Sequence, residues 1–510
     1  MHTQKISFHF LHTTRLFKLI SLPPNKIIFP RPFAFAIDDM GWNNGSSVSI
    51  NGSPGPFRCG LKRTFDLNDY KYIVAVGKKV GARILGLFIL SEMDRGNVLA
   101  KYPTTTHQGI DWDNSKRVNT AQLEIMQFVS KESAHLEFGL HGTGHEYWDG
   151  SGTQKRAEWY NMVDRQPWPE SIMREHISGF KEIMAQYQLS PEYGHSFPES
   201  FVACANSYYW NPGGKYSIGK LMSEAGVKYA NTDFTQIPEL LPPQEINGGG
   251  FDNGTHVISR MCCGVSWYAL DCLPTVPILK QASDIAETHW PNWLAQDDFM
   301  QEEVTQKWIG YYQKVQQLDS RYIAKNTEQL HSQWLYKKYS IITETIAGYV
   351  EIDNTQMPEE PYQFDMLGNL VLKIKLKAGE HLSAATINND LIPGYFEEFG
   401  FAFLYLPRLQ REKYLLQYTI GSCVMPLYVL HDCTSNIYSL KQQGNMVVLS
   451  VKIYGRQTIK IKCGKPANVT VSSLALSMQA VTFNSQSGML FLLVEALDMQ
   501  GNKGEIQIMY

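Results

Sequence analysis

The amino-acid sequence predicts an α/β domain followed by a domain built only from β-strands. Up to about residue 295, buried strands alternate with amphipathic helices, a pattern typical of parallel strands joined by crossover helices. After residue 346, short alternating strands follow one another between turn residues, which favours a β-sandwich-like domain. With 510 residues the chain is also too long for one ordinary core, so we expect two domains or more.

The α/β domain is expected over residues 33–296, after an N-terminal extension of residues 1–32. Its first strand is predicted at residues 33–37, where Phe33, Phe35 and Ile37 alternate with small side chains. Further strands are predicted at 83–90, 135–140 and 227–230, and helices at 120–131, 171–187 and 219–225. A helical segment over residues 297–345 is expected to pack on this domain.

The all-β domain is expected over residues 346–510. Alternating patterns predict strands at 370–376, 401–406, 413–420, 446–454, 457–463, 468–473 and 489–495. No tryptophan occurs in this part of the chain, so a sugar-binding module lined by tryptophans is not indicated. A structural or docking role is therefore the default expectation for this domain.

Composition excludes several functional classes. The formal net charge is -3 and no block of Lys and Arg occurs, which disfavours nucleic acid as a partner. The eight cysteines form no Cys-x-x-Cys pair, so neither a thiolate zinc site nor a thioredoxin motif is indicated. No apolar run reaches the roughly 20 residues of a transmembrane segment, and no clear signal peptide is present, so the localisation stays open.

Two adjacent carboxylates, Asp38 and Asp39, follow the first predicted strand. Neighbouring residues on a strand point to opposite sides, so one carboxylate can bind a metal while the other acts as a base. The alternative is ordinary turn chemistry at a strand end.

Two histidines, His141 and His145, follow the strand predicted at 135–140. Their spacing of four places both imidazoles on one face of a helical turn, within reach of one divalent ion, and Gly142 and Gly144 leave room for a ligand. Two solvent-facing histidines are the alternative. Since α/β barrels carry their active sites at the carboxyl ends of parallel strands, we expect these histidines and Asp39 to form one metal site.

These motifs resemble those of the polysaccharide deacetylase (NodB-homology, carbohydrate esterase family 4-like) family. Phe35-Ala-Ile-Asp-Asp39 is similar to the first family motif, usually Thr-Phe-Asp-Asp-Gly, and Glu137-Phe-Gly-Leu-His-Gly-Thr-Gly-His145 is similar to the second, a strand ending in His-Ser/Thr-x-x-His. The resemblance covers residues 33–295, with an insertion around 92–119, and does not reach the β-rich tail. It implies a deformed (β/α) barrel of the NodB type.

The resemblance also implies a mechanism. Asp38 would be the general base, and Asp39, His141 and His145 would hold a divalent metal that polarises the acyl carbonyl and acidifies water. Zn²⁺ is the expected metal, and Co²⁺, Ni²⁺ or Mn²⁺ fit the same donors. The family's late histidine corresponds to His289, the expected acid for the leaving group; a capping role for it is the alternative.

Two further motifs match less closely. The family's third motif is Arg-x-Pro, whose arginine pairs with the base, but here the stretch is His195-Ser-Phe-Pro198. Ser196 stands where the arginine is expected, so the pKa of Asp38 would need a different control. Asn231-Thr-Asp233-Phe234 resembles the fourth motif, and Asp233 would either orient His289 or cap a helix.

The expected activity is hydrolytic de-N- or de-O-acetylation of a carbohydrate. Trp42, Trp148 and Trp210 are candidate platforms for sugar rings, with packing as their alternative role. The resemblance implies a cell-envelope, periplasmic or secreted location.

Two other functions remain open. One is glycan binding by a barrel that has lost catalysis, which the serine at position 196 motivates. The other is a metal-assisted glycoside hydrolase, which needs a second carboxylate across the cleft, and Glu146 and Asp149 are close in sequence.

Overall fold

Seven parallel strands form a closed barrel in the first half of the chain. The computed structural model describes residues 27–43, 61, 63–237 and 248–510; most of the predicted N-terminal extension lies outside them. The strands of this half are β1 (Ile27–Ile28), β2 (Arg31–Met40), β3 (Ile84–Ile89), β4 (Leu136–Gly142), β5 (Tyr147–Trp148), β6 (Gln154–Lys155), β7 (Ser200–Phe201), β8 (Tyr229–Thr232), β9 (Gly249–Asp252), β10 (Thr255–Cys262), β11 (Ile285–His289) and β12 (Arg321–Ile323). The helices are α1 (Leu67–Val80), α2 (Thr120–Lys131), α3 (Glu170–Gln186), α4 (Ile218–Ala225), α5 (Gln301–Gln316) and α6 (Thr327–Tyr339).

The barrel runs in the order β2-β3-β4-β7-β8-β10-β11 and closes where β11 pairs in parallel with β2. Successive side chains of β2 alternate between the inside and the outside of the barrel. Ala36 joins one buried cluster with Leu85 and Ile258 from other barrel strands, while Phe35 packs outward against the aromatic ring of Trp308 on α5. On β2 the small residue therefore faces the inside of the barrel, and the large aromatic residue faces outward, where α5 packs on it.

The second half of the chain forms β-sheets. Its strands are β13 (Ile341–Ile346), β14 (Tyr349–Asp353), β15 (Leu370–Lys375), β16 (His381–Ile387), β17 (Asp390–Leu391), β18 (Gly394–Glu398), β19 (Phe401–Leu406), β20 (Lys413–Gly421), β21 (Tyr428–Leu430), β22 (Asn436–Gln443), β23 (Met446–Ile453), β24 (Arg456–Lys462), β25 (Asn468–Val471), β26 (Leu476–Asn484), β27 (Met489–Ala496) and β28 (Asn502–Met509), with one short helix, α7 (Glu360–Gln363). An eight-stranded sheet, β1-β15-β19-β18-β21-β24-β27-β26, shares buried cores with a five-stranded sheet, β13-β14-β20-β16-β17, and a four-stranded sheet, β22-β23-β28-β25.

The α/β barrel with a β-rich second half confirms the predicted fold class at this level. Helix α2 covers the residues that the sequence predicts, and the other predicted elements of the barrel are shifted by two residues or fewer at most ends. The sequence analysis misses α1, β7, β10 and β11. The segment predicted to be helical over 297–345 is interrupted by β12, which extends the barrel sheet beside β2. Strand β13 begins at Ile341, and β1 pairs with β15 of the second half. No helix among the described residues is long and apolar enough to cross a membrane.

A buried ion network joins the barrel to the β-sheets. The Lys452 ammonium on β23 lies 2.7 Å from a carboxylate oxygen of Glu199, which precedes β7, and 3.3 Å from Glu328 on α6. Lys228 lies 2.9 Å from the other carboxylate oxygen of Glu199. Burial by itself would raise the pKa of Glu199, but Lys452 and Lys228 outweigh it and lower the pKa to about 2. Glu199 is therefore ionised and contributes to the stability of the two halves together.

We predict that Glu199→Gln destabilises the protein by about 3 kcal/mol at pH 7. Because the pKa of Glu199 is lowered on folding, its contribution is complete above the unfolded pKa of about 4.3 and is lost as the pH falls through about 2. Urea unfolding at pH 7, 5, 4 and 3 measures the difference, with the exposed Glu192→Gln as the control. If the loss of unfolding free energy caused by Glu199→Gln stayed the same from pH 7 to pH 3, the lowered pKa of Glu199 would be contradicted.

Candidate metal centre

The polar residues of the two main motifs meet at one mouth of the barrel. Asp38 and Asp39 lie near the end of β2, His141 near the end of β4, and His289 ends β11. Because all barrel strands are parallel, their carboxyl ends reach the same side. His145 follows β4 in a bent loop, and the structure brings it to the same mouth.

Asp39 lies between three imidazoles. Its Oδ1 is 3.4 Å from His141 Nε2 and 3.6 Å from His145 Nε2, and its Oδ2 is 3.8 Å from His289 Nε2. Ligand atoms that bind one Zn²⁺ at about 2.1 Å in a tetrahedral arrangement lie about 3.4 Å apart. Both Asp39 oxygens are buried and accept no hydrogen bond from the described residues, so a divalent cation shared with His141 and His145 fits this donor set.

The other ring nitrogen of each histidine is held by a hydrogen bond. His141 Nδ1 donates to the carbonyl of Val202 over 2.8 Å, and His145 Nδ1 lies 2.8 Å from a carboxylate oxygen of Glu146. These partners orient both rings so that Nε2 faces Asp39, which is the usual support of metal-binding histidines. Burial lowers the pKa of His145, but Glu146 and Asp39 outweigh it and raise the pKa to about 9, so a cation that binds here would have to displace a proton.

Two residues of this set have a left-handed backbone. The φ angle of Asp39 is 68° and that of His145 is 69°, a region that non-glycine residues rarely adopt. Such strain persists where the surrounding structure holds it, and it is common at functional sites. The sequence analysis places the histidines on a helical turn, which is wrong, because the chain leaves β4 in a non-helical bend and reaches the site through this strained turn.

The two glycines between the histidines do not make room for a ligand, as the sequence analysis expects. A Cβ on Gly142 would lie 2.2 Å from a carboxylate oxygen of Glu158, and a Cβ on Gly144 would lie 1.9 Å from the carbonyl oxygen of Thr105. The space is therefore used by the protein's own chain, and glycine is needed for this close approach.

Asp38 is paired with an arginine that the sequence analysis misses. The Arg260 guanidinium on β10 donates to both Asp38 oxygens, over 2.8 Å and 2.5 Å, and its Nε donates to Asn206 over 2.9 Å. Burial would raise the pKa of Asp38, but Arg260 outweighs it and lowers the pKa to about 2. A charged residue inside a buried strand is a signal that could have found Arg260.

Several residues proposed from sequence lie elsewhere. The Ser196 backbone N–H donates to Asp498 of the β-rich half, outside the cavity at the barrel mouth. Asp233 accepts hydrogen bonds from Thr235 and caps a short turn, as its alternative role predicts. Trp42 and Trp210 are buried, the latter against Phe234, and Trp148 lies partly buried beside His107.

A cavity of about 380 Å³ opens above the centre. Trp267 and Tyr268 line it with exposed fractions of 38% and 39%, and the Trp267 ring stacks on His289 at 5.5 Å between centroids. Glu287, two residues before His289 on β11, also faces the cavity. None of these three residues is singled out by sequence, because the strand pairing that brings them to the mouth is not visible in any local pattern.

Among the residues that the structure describes, two buried groups of side chains could hold a metal ion. Within each group the ligand atoms lie within 4.8 Å of one another, and the groups are His141/His145/Cys204 and Asp38/Glu287/His289. Arg260 already compensates the second group, since its guanidinium bonds to Asp38 and lies 3.6 Å from Glu287. In the first group, burial raises the pKa of the Cys204 thiol, and its S–H donates to the His141 carbonyl. Because only the thiolate binds a metal, Asp39 is the better third ligand beside His141 and His145.

No protein-family model matches the chain, and no curated protein matches it. The account of this site therefore rests on its geometry and chemistry.

We predict that the protein binds one divalent cation at Asp39, His141 and His145. After chelation, titration calorimetry with Zn²⁺ should give one site per chain, and Asp39→Ala should weaken binding by about 100-fold or more. The partly exposed Asp149→Ala, which lies outside the cavity lining, serves as the control and should leave the affinity unchanged. If Glu287→Gln abolished binding while Asp39→Ala retained it, the cation would belong to the other group and this assignment would be wrong.

Proposed function

We propose that this protein is a metal-dependent deacetylase that hydrolyses an acetyl amide or ester on a carbohydrate, on a barrel of the NodB type found in the polysaccharide deacetylase family. The observation that carries the proposal is the convergence of Asp39, His141 and His145 beside the Asp38–Arg260 ion pair. Asp39 and the two histidines offer the donors for a cation, and Asp38 is an ionised carboxylate that is not needed to hold that cation.

A divalent cation at this place supplies a Lewis acid for the acyl carbonyl and lowers the pKa of water. Asp38 acts as the base. Its Oδ2 is 3.9 Å from His141 Nε2, so it borders the same space as the cation donors, and Arg260 keeps it ionised and fixes its orientation. A proton from attacking water therefore has a nearby acceptor.

His289 acts as the acid that protonates the leaving group. Its Nε2 lies 3.8 Å from Asp39 Oδ2, whereas His141 and His145 approach Asp39 Oδ1. Its Nδ1 is buried and has no hydrogen-bond partner among the described residues, and the Trp267 ring stacks on the imidazole. This position faces the cavity, where the leaving nitrogen or oxygen of the substrate would lie.

A carbohydrate is the substrate class that the cavity supports best. Trp267 and Tyr268 expose aromatic surface at its rim, where the apolar face of a sugar ring can stack. The remaining wall is polar, with Gln154, Arg156 and Glu287 offering hydrogen bonds to hydroxyl groups. Trp267 thus replaces Trp42, Trp148 and Trp210 as the proposed platform.

The two rival functions are less well supported. The argument for a barrel without catalysis rests on Ser196, but Arg260 supplies the cation that pairs with the base. For a glycoside hydrolase, Glu146 is bound to His145 and Asp149 accepts hydrogen bonds within its own turn. Glu287 is the nearest alternative carboxylate, yet it shares Arg260 with Asp38, so the two carboxylates lie on one guanidinium and not on opposite sides of a cleft.

Acetate release tests the proposal. We expect the Zn²⁺-loaded protein to release acetate from N-acetylated chitopentaose or from acetylated xylan, and Asp38→Asn to lower kcat by about 10²- to 10⁴-fold because the base is lost. The metal affinity of Asp38→Asn should change far less, since Asp38 is not a ligand. Release of reducing sugar without acetate would instead favour a glycoside hydrolase, and binding of the glycan without any turnover would favour the barrel that has lost catalysis.

A second prediction concerns the aromatic platform. Trp267→Ala should raise KM for the oligosaccharide by about fivefold, because a stacking contact contributes roughly 1 kcal/mol. The same variant should hardly change the hydrolysis of p-nitrophenyl acetate, which has no sugar ring, and Trp148→Ala should change neither. An equal loss on both substrates would show that Trp267 acts through His289 and not as a platform.

A further inference from the structure

The loop that carries the metal-binding histidines lies on a buried carboxylate. Glu158 is fully buried, and it accepts hydrogen bonds from the backbone N–H groups of Thr143, Gly144 and His145 over 2.9, 3.1 and 2.8 Å. Its own backbone N–H donates to the carbonyl of His145 over 3.1 Å. One side chain thus satisfies three successive backbone donors of the loop.

The same segment also holds the start of the loop. The indole N–H of Trp159 donates to the carbonyl of His141 over 2.8 Å. The Glu158 carboxylate in turn lies 2.7 Å from His176 Nδ1 on α3, and Thr143 Oγ1 donates to the carbonyl of His176 over 2.7 Å. Residues 158 and 159 therefore clamp both ends of the turn between His141 and His145 and tie it to α3.

This clamp explains how the strained turn persists. His145 has a φ of 69°, which is unfavourable for a residue with a side chain. The hydrogen bonds from three buried backbone N–H groups to the Glu158 carboxylate offset that strain. Without Glu158 these N–H groups would be buried and unpaired. The glycine at position 142 belongs to the same arrangement, because a Cβ there would collide with Glu158.

We propose that Glu158 is a positioning residue for the metal centre: it holds the turn between His141 and His145 in the conformation that aims His145 Nε2 at Asp39. This inference rests on the metal site of the proposed function. Glu158 is not itself a ligand, because its two oxygens already accept four hydrogen bonds, two at each oxygen.

The substitution Glu158→Gln tests this role. Each carboxylate oxygen faces two donors, so the amide NH₂ of glutamine must point at donors whichever way it is turned. We expect faster hydrogen exchange in the metal-free protein across residues 141–147, a 10- to 100-fold weaker Co²⁺ affinity and an altered visible spectrum of bound Co²⁺. The change in exchange and in the spectrum separates positioning from a simple loss of negative charge.

The matched control is Glu182→Gln, which removes a carboxylate from α3, the helix that carries His176, where Glu182 pairs with Lys101 on the surface. It should leave hydrogen exchange of the loop and Co²⁺ binding unchanged. Should Glu158→Gln fail to fold, His176→Phe removes one donor to the carboxylate while keeping a ring at that position. It should then show a smaller effect in the same direction.

The outcomes separate this inference from the proposed function. If Glu158→Gln, or His176→Phe in its place, keeps wild-type loop exchange and Co²⁺ affinity, the positioning role is overturned. A second outcome is that the wild type binds Co²⁺ and the variant shows the weaker affinity and faster loop exchange, but neither releases acetate from any substrate. The positioning role then stands and the deacetylase proposal fails. If the wild type binds no Co²⁺, both are overturned.

Discussion

Closure of the barrel by the pairing of β11 with β2 is the constraint on which the rest of the structure depends. The register of this pair places His289 directly beside Asp38, although the two residues are far apart in the chain. Parallel pairing through β3 then brings the end of β4, with His141, to the same mouth. The centre is thus a product of strand register, and each of its side chains sits on a rigid element or on a loop that a buried carboxylate clamps.

Charge at the mouth is divided between two adjacent carboxylates. Arg260 donates two hydrogen bonds to Asp38 and compensates it permanently, whereas Asp39 has no such partner among the described residues. Burial raises the pKa of Asp39, but His141, His145 and His289 outweigh it and lower the pKa. A divalent cation that Asp39 shares with two of these imidazoles would compensate its charge in the same way. One carboxylate is therefore paired with Arg260 while its neighbour can hold the ion, and the left-handed backbone of Asp39 lets both carboxylates approach His141 Nε2, Asp39 at 3.4 Å and Asp38 at 3.9 Å.

The sequence predicts those parts of the site that local patterns carry. The alternation in Phe33-Ala-Phe-Ala-Ile37 indicates β2, and the carboxylates and histidines that follow buried strands mark the mouth of the barrel. Arg260 could not be predicted in the same way, because it meets Asp38 across 222 positions of the chain and only the strand order decides that contact. Ser196 was chosen by motif alignment, yet β7 begins only at Ser200 and the segment before it faces the β-rich half. Glu158 is not visible in the sequence, because three of its four partners are backbone N–H groups, which no residue pattern records.

X-ray absorption at the zinc edge of the Zn²⁺-loaded protein tests the central claim most directly. Our account predicts a first shell of two imidazole nitrogens and carboxylate or water oxygens at about 2.0–2.2 Å, with no sulfur. A sulfur atom at about 2.3 Å would place Cys204 in the shell instead of Asp39, and a shell with only one imidazole would place the ion between Glu287 and His289. Either result would contradict the account.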